Sequence, residues 1–382
     1  MLRFALLMVP FVIEPAAATF HAAQSSAELH VRREGAGEFS GDDDRPIQAA
    51  LERLRGKGGT VVVGPGEYIV RRAIQVPAGS VLRGSQGTVL RMPSPSTCTE
   101  SAAAGSKTLT LASVDGFVPD TWVQILPPAG AEFFADGKTP SLDLARIGAI
   151  QEKRLVLVDP LALDVPRGSR VGYAHKILQV AQTGNVVIEN LTLDGGALKD
   201  LPMSGHHQRC GIWAAARFSY GEERLGPPGE KVFVRHCVFR NFYGRGVAFY
   251  HMVDSAVEGC HFENIYDEAI DFDHFCERNR AAGNEIRNAL WGIVLNDASR
   301  CTIEFNRISN CGKGIFCWWY ERTPQERINE ENVIRHNVVR ACSELPIHLA
   351  KACHRNTVEQ NFVEGEILVE EPDNVVQRNT RL

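Results

Sequence analysis

Four carboxylates and one histidine fall within eight consecutive residues of this 382-residue chain, as Asp267, Glu268, Asp271, Asp273 and His274. Two carboxylic acids held close together can act as a general acid and a general base, because mutual repulsion and neighbouring charges separate their pKa values. Paired acids of this kind hydrolyse glycosidic bonds. Clustered carboxylate oxygens also bind Ca²⁺. The segment therefore predicts a glycan-cleaving site or a calcium site, and no other cofactor is firmly implied.

A repeat of about 23 residues positions this segment. From residue 186 onward, units of strand, polar corner and strand recur at offsets of roughly 22 to 24 residues, with two longer gaps that we interpret as loops. One such unit cannot bury its apolar face alone, whereas stacked units build a continuous core. We therefore predict an all-β fold, a parallel β-helix. The second strands of the units are residues 211–215, 246–250, 269–273, 292–296, 314–318, 346–350 and 366–370.

The second strands carry an unusual outward face. Their second and fourth places are apolar in nearly every unit, and since strand side chains alternate, the third and fifth places should point outward. A solvent-facing sheet without a function should carry Lys, Glu, Thr and Ser, but these places carry aromatic and acidic residues. Aromatic rings are common in saccharide sites. The residues predicted to bind substrate on this face or beside it are Trp213, Arg245, Tyr250, His251, Asn296, Asp297 and Trp318.

Asp271 and Asp273 are the predicted catalytic pair. They lie two residues apart on one strand, with Cα atoms about 7 Å apart. Side-chain rotamers allow the carboxyl spacing of a retaining or an inverting hydrolase from that separation, so both courses stay open. We interpret the pair as the acid and the base or nucleophile, tuned by His274, Asp267 and Glu268. The partner is then a polysaccharide bound in a groove.

The corners between strands indicate how the rungs stack. Asn residues recur in two corner columns, where side-chain amides can hydrogen-bond the backbone and the neighbouring rungs. Cys237 and Cys260 share one of these columns, and Cys317 falls at a core place. We therefore expect reduced, packed thiols. Cys311 and Cys342 occupy adjacent rungs of one column and could form a disulfide.

The amino-terminal half resembles the β-helix domain of the pectate-lyase superfamily. The similarity lies in an acidic cluster at residues 42–44, a predicted helix at 47–54, the sequence GKGGTVVVGPGEY at 56–68 and the strands of 73–92. The resemblance implies a right-handed parallel β-helix over residues 40–382, with the helix capping its end. Residues 97–176 do not repeat, and we predict that they form a small inserted β subdomain.

A weaker resemblance is to β-helical mannuronan C5-epimerases. Their motif Tyr-Gly-Phe-Asp-Pro-His, followed by an Asp one rung later, is similar to residues 270–274 with Asn296 or Asp297 a rung on; here the Tyr and Pro are missing and the His is shifted by one place. The resemblance implies an alternative function as a uronate lyase or epimerase, with His274 or Tyr250 moving the C5 proton. A non-catalytic glycan-binding β-helix is a third hypothesis.

Charge and the first residues bear on partners and location. The net charge of -5 provides no basic surplus for a phosphate backbone, so nucleic acid is excluded as a partner. Residues 1–18 are similar to a secretory signal, with Arg3, an apolar run at 4–13 and small residues at 16–18. The apolar run is too short to span a membrane. We predict a secreted or periplasmic protein with no membrane span.

Overall fold

The computed structural model describes residues 27–35, 38–126, 128, 144–181, 184–196, 209–217, 226–319 and 329–382. The predicted export signal at residues 1–18 lies outside these ranges. No helix in the described part of the chain is long and apolar enough to cross a membrane.

One α-helix, α1 (Asp44–Leu54), covers the amino-terminal end of the fold. It begins three residues before the predicted start, because the Asp43 side chain caps it by accepting a hydrogen bond from the Arg45 amide. Ile47, Leu51 and Leu54 point from one side of α1 into the core and are buried. The helix thereby shields the apolar end of the strand stack.

Two long parallel sheets form the body of the molecule. Sheet 1 has eleven strands, which are Glu28–Val31, Gly59–Val63, Ser80–Gly84, Val186–Glu189, Val232–Arg235, Ala256–Glu258, Arg280–Ala282, Thr302–Glu304, Val333–Arg335, Thr357–Glu359 and Val375–Gln377. The other long sheet has 17 strands and divides into two stacks, called sheets 2 and 3 below. The predicted parallel β-helix is confirmed.

Sheets 2 and 3 share two long strands, His261–Asp273 and Glu285–Asn296, which run through the corner between them. The other strands of sheet 2 are Gly66–Ile69, Thr88–Arg91, Thr192–Asp194, Val238–Phe242, Arg307–Ser309, Val338–Arg340, Phe362–Val363 and Thr380–Arg381. The other strands of sheet 3 are Ile74–Gln75, Leu178–Ala181, Ile212–Ala215, Val247–Tyr250, Lys313–Trp318, Ile347–Leu349 and Ile367–Val369. Two short pairs, Gly229–Glu230 with Met252–Val253 and Asn329–Glu330 with Cys353–His354, complete the rungs.

A separate six-stranded sheet interrupts the early rungs. Its strands are Ser96–Thr97, Thr108–Thr110, Trp122–Leu126, Leu144–Gln151, Arg154–Leu157 and Arg170–Tyr173. All of its pairings between these strands are antiparallel, unlike the parallel stacks around it. The chain returns to the stack at Leu178–Ala181, which pairs with Ile74–Gln75.

The core of sheet 3 follows the predicted inward places. Ile270 and Phe272 are fully buried, as are the equivalent residues of the neighbouring rungs. Phe249 stacks on Phe272 with ring centroids 5.6 Å apart. The inward register predicted from the repeat is confirmed, and it turns the alternate residues, including Asp271 and Asp273, away from the core.

Asparagine ladders hold the corners, as the corner columns predicted. The backbone amide of Asn284 donates to Oδ1 of Asn306, and the backbone amide of Asn306 donates to Oδ1 of Asn337, each at 3.0 Å. The ten cysteines are free thiols, so Cys311 and Cys342 are not joined. Nine of them are buried, which agrees with the predicted packed thiols.

Candidate functional site

The predicted site residues lie on sheet 3 in two outward columns. Parallel pairing aligns Tyr250 with Asp273, and the Asn296 side-chain amide reaches Asp273 from the next rung at 2.8 Å. The Asn296 backbone pairs in turn with Trp318. The other column consists of Trp213, Ala248, Asp271, Val294, Phe316 and His348.

The prediction of a solvent-facing acidic rung is wrong. Asp267 and Asp271 are 1% exposed and Asp273 is 3% exposed, while Glu268 and His274 are also buried. The alternation of the strand does turn these side chains outward, but rungs are only about 4.8 Å apart. Arg245 and Tyr250 of the preceding rung therefore lie against the short aspartates, with Arg245 beside Asp271 and Tyr250 hydrogen-bonded to Asp273.

The sequence predicted that Arg245 binds substrate. In the structure Arg245 instead lies among the carboxylates. Its Nε is 2.8 Å from Oε2 of Glu268, 3.0 Å from Oδ2 of Asp271 and 4.0 Å from Oδ2 of Asp267. A buried cation requires paired anions. A bulge in the pairing of strands His261–Asp273 and Glu285–Asn296, between Ile265 and Glu268, brings the acidic residues to the corner that faces this guanidinium.

The same arrangement tests the predicted calcium site. Three of the four carboxylates predicted to ligate Ca²⁺ lie within 4.0 Å of Nε of Arg245, which already supplies a positive charge there. Among the residues that the structure describes, no three His, Cys, Asp or Glu side chains are grouped so as to hold a metal ion. The acidic cluster as arranged does not fit Ca²⁺, and no step below involves it.

Asp271 is surrounded in a way that favours its protonated form. Burial raises the pKa of Asp271 well above its usual range, the neighbouring Asp273 raises it further, and Arg245 only partly opposes both. Neither Asp271 oxygen has a hydrogen-bond partner, although one lies close to Arg245. Burial likewise raises the pKa of Asp267, with a further contribution from Glu268. For Glu268 itself, burial acts upward but Arg245 and Asp267 outweigh it, so its pKa is lowered.

Asp273 is surrounded by hydrogen-bond donors. Its Oδ1 accepts from the His274 backbone amide at 2.7 Å and from Nδ2 of Asn296 at 2.8 Å. Burial raises the pKa of Asp273 above its usual value, and His274, Arg245 and a hydrogen bond from Tyr250 oppose this rise without cancelling it. The His274 ring lies between two carboxylates, with Nε2 3.1 Å from Oδ1 of Asp273 and Nδ1 2.9 Å from Oδ2 of Asp297. Asp273 therefore favours its ionised form more than Asp271 does.

Aromatic side chains flank the acidic rung on both sides. Trp213 packs edge-on against Tyr250 with ring centroids 6.0 Å apart. On the other side Phe316 stacks on Trp318 at 5.9 Å and contacts Trp291 at 5.4 Å. Trp213 and Trp318 are half-buried, so part of each ring is available to a ligand.

His251 does not take the predicted substrate-binding place. It is fully buried, its Nδ1 lies 2.8 Å from the Arg217 carbonyl oxygen, and its ring meets Phe275 edge-on. His251 follows Tyr250 and has a positive φ of 53°, so the backbone turns there from the strand into the corner. Its contacts are those of a corner residue.

Three residues of this face were not among the predicted catalytic or substrate-binding residues. Lys176, Trp291 and Lys313 lie at the corner that leads into sheet 3, where Trp291 pairs with Glu268 on one side and with Lys313 on the other. Lys176 was assigned to the non-repeating segment. The apolar alternation of Leu178 and Val180 was the available signal that a rung of sheet 3 begins there.

Comparison with known proteins identifies the fold. The model of the family NosD, described as a periplasmic copper-binding protein, matches residues 229–379. No curated protein matches the sequence. The solved complex of XylC with xylose is 10% identical, with a TM-score of 0.51 over 93% of this chain and 68% of that one. The amino-terminal fragment of bacteriophage Phi29 gene product 12 is 13% identical, with a TM-score of 0.54 over 92% of this chain and 56% of that one.

These similarities show the fold alone. The chain has a right-handed parallel β-helix, the fold that the resemblance of its amino-terminal half implied. The chain spans just over half the length of the phage fragment.

Proposed function

We propose that this chain is an exported carbohydrate-active enzyme that hydrolyses a polysaccharide at the rung of Asp271 and Asp273. The observation that carries the proposal is the difference between the surroundings of these two aspartates on one strand. Arg245 lies 3.0 Å from Oδ2 of Asp271 but neither Asp271 oxygen accepts a hydrogen bond, whereas Asp273 accepts two hydrogen bonds and faces His274. Surroundings that push two pKa values apart assign one group as acid and the other as base.

The geometry supports the following steps. Asp271, protonated, donates its proton to the glycosidic oxygen as the bond to the sugar carbon breaks. Asp273, ionised, takes a proton from the attacking water in an inverting reaction, or bonds to the sugar carbon in a retaining one. His274, held by Asp297, orients Asp273 and stabilises its charge. The half-buried Trp213 and Trp318 are placed to contact the sugar rings.

The local charge favours a neutral sugar at the bond that is cleaved. Arg245 pairs with Glu268 and Asp271, whereas Asp273 and Asp297 flank His274, so the rung is acidic overall. An acidic rung repels the carboxylate of a uronate bound at the same place. Hydrolysis is therefore favoured over uronate elimination or epimerisation.

A uronate lyase or epimerase is the second candidate. A hydrogen bond links Tyr250 to Asp273, and the Tyr250 and His274 rings lie 6.2 Å apart, so a proton could be removed from C5 by one and returned by the other. This route needs a cation to neutralise the substrate carboxylate. Arg245 is engaged by the Glu268 carboxylate, which disfavours it in that role.

The comparisons give limited support. The solved XylC complex contains xylose, which agrees with a saccharide ligand, and the NosD family is described as periplasmic, which agrees with export. Copper binding is not carried over, because the matched residues are fewer than half of the chain and the described part shows no grouped metal ligands.

The test is a panel of neutral and acidic polysaccharides, assayed for new reducing ends and for unsaturated products. We expect reducing ends without unsaturation, and a loss on the order of 10² to 10⁴-fold in kcat for Asp271→Asn and for Asp273→Asn. Asp254→Asn is the matched control, because Asp254 is a half-exposed aspartate that pairs with Arg278 away from sheet 3. Binding without cleavage, unaffected by either substitution at the site, would support a glycan-binding protein instead.

A further inference from the structure

Two lysines lie against aromatic rings on either side of the acidic rung. Nζ of Lys176 is 4.1 Å from the ring centroid of Trp213. Nζ of Lys313 is 3.9 Å from the ring centroid of Phe316. An ammonium group on the face of an aromatic ring is held there by the ring quadrupole. Each cation therefore has a fixed place on the face of sheet 3.

The two lysine–aromatic pairs are equally spaced about Asp271. Trp213 is two rungs before Asp271 in the outward column, and Phe316 is two rungs after it. Rungs are about 4.8 Å apart, so each ring lies about 10 Å from the Asp271 rung. A glycan lying along the column would meet a cation, then the acidic rung, then a second cation.

The charges of these lysines are poorly compensated. Lys176 is half-buried and forms no ion pair within the described residues. Lys313 has 15% of its side chain exposed, and its carboxylate partner Glu344 is 3.5 Å away and half-exposed. A pair at this distance whose carboxylate is half in solvent contributes little. Burying a cation without a matched anion is unfavourable, so an anionic ligand at either place would be stabilised.

We infer that the substrate is an acidic heteropolysaccharide that lies along the column, with a neutral sugar at the cleaved bond and anionic sugars near Lys176 and Lys313. The inference rests on the proposed function for the position of the cleaved bond. It adds the charge pattern of the substrate, which the hydrolytic chemistry alone leaves open. The anionic groups are carboxylates or sulfates, because both present oxygens that an ammonium group can bind.

The experiment compares one acidic glycan with its carboxyl-reduced and desulfated forms. We expect Lys176→Met and Lys313→Met each to lower kcat/KM on the acidic glycan about tenfold, chiefly through KM, and to have little effect on the neutralised form. If carboxyl reduction abolishes the effect of the lysine substitutions, the anionic group is a carboxylate. If desulfation abolishes it, the group is a sulfate. Lys57→Met is the matched control, since Lys57 is exposed beyond the end of α1.

Two further measurements separate the possible failures. Titration of the Asp271→Asn variant with intact and neutralised glycan should show binding weakened by neutralisation, and this holds whether or not cleavage is detected. Lys176→Arg and Lys313→Arg should retain affinity, which excludes misfolding as the cause of the losses. Equal binding of both glycan forms would overturn the charge pattern, whereas full activity of Asp271→Asn and Asp273→Asn would overturn the proposed hydrolysis instead.

Discussion

Asp297 holds the His274 ring from the side opposite Asp273. Its Oδ2 lies 2.9 Å from Nδ1 of His274, while Nε2 of the same ring lies 3.1 Å from Oδ1 of Asp273. All three side chains are buried, so solvent screens the interaction little. The carboxylate of Asp297 holds the His274 ring at Nδ1 and so fixes the orientation in which Nε2 faces Asp273.

Substitution of Asp297 should therefore affect catalysis through His274. We expect Asp297→Asn to lower kcat at least about tenfold with little change in KM, because the His274 ring loses the carboxylate that orients it while substrate contacts remain. The pH profile of kcat should move with it, which a purely structural role would not cause. An unchanged pH profile with a raised KM would contradict this assignment.

Burial of Asp267 predicts a pH-dependent cost to stability. Its folded-state pKa is raised, chiefly by burial, so its contribution to stability is present at acid pH and is lost as pH rises through the folded pKa. Asp267→Asn removes the titrating group. We expect its gain in unfolding free energy over the wild type to grow with pH by up to about 1.4 kcal/mol per unit until the folded pKa is reached.

Denaturant unfolding at pH 5 and pH 8 measures this difference. Asp254→Asn is the control with the opposite sign, because the hydrogen bond from Arg278 lowers the pKa of Asp254. The stability that Asp254 contributes is lost only as pH falls below its ordinary range, so its variant should show a constant difference between pH 5 and pH 8. A constant difference for Asp267→Asn as well would show that Asp267 is not protonated in the folded protein.

The corner ladder should contribute strongly to stability at Asn306. Its Oδ1 accepts from the Asn284 backbone amide, and its Nδ2 donates to the carbonyl oxygen of Ala281. Asn306→Ala leaves buried polar groups without partners, at about 1 to 3 kcal/mol each. We expect a loss of about 3 to 5 kcal/mol in the free energy of unfolding.

Asn288→Gly provides the comparison for the ladder. Asn288 is exposed, donates one hydrogen bond to Asn264, and has a φ of 57° that glycine adopts readily. We expect this variant to lose about 1 kcal/mol or less. Equal losses for the two variants, measured by denaturant unfolding, would contradict a special role for the buried ladder.

The thiols should remain reduced in the folded protein. Burial raises the pKa of Cys311 to about 12 and that of Cys342 to about 11, so neither is an effective nucleophile at neutral pH. Mass spectrometry after alkylation of the native protein should find Cys342 modified first, because the other cysteines are buried. After denaturation all ten should react, and detection of a linked Cys311–Cys342 peptide would contradict the structure.

The sequence predicted the register of the site better than its surroundings. The apolar places that Ile270 and Phe272 occupy recur in nearly every unit, so the inward and outward faces follow from strand geometry alone. The place of Arg245 depends on the bulge at the corner before Asp271, which no local pattern reveals. Burial of the aspartates depends on side chains of adjacent rungs, which act across about 23 residues of sequence.

Lys176 was missed for a different reason. The antiparallel sheet of residues 96–173 separates its rung from the earlier ones, so the repeat was not recognised before residue 186. The alternation of Leu178 and Val180 is too short to identify a strand by itself. It becomes informative only when aligned with Ile212 and Ala214, its partners in the structure.

Product analysis with the paired variants tests the central claim most directly. The wild type and the Asp271→Asn, Asp273→Asn and Asp254→Asn variants are incubated with each polysaccharide of the panel, and both reducing ends and unsaturated products are measured. The account predicts reducing ends without unsaturation from the wild type and from Asp254→Asn, and a loss on the order of 10²-fold or more in the other two. Undiminished release of reducing ends by Asp271→Asn and Asp273→Asn would contradict it.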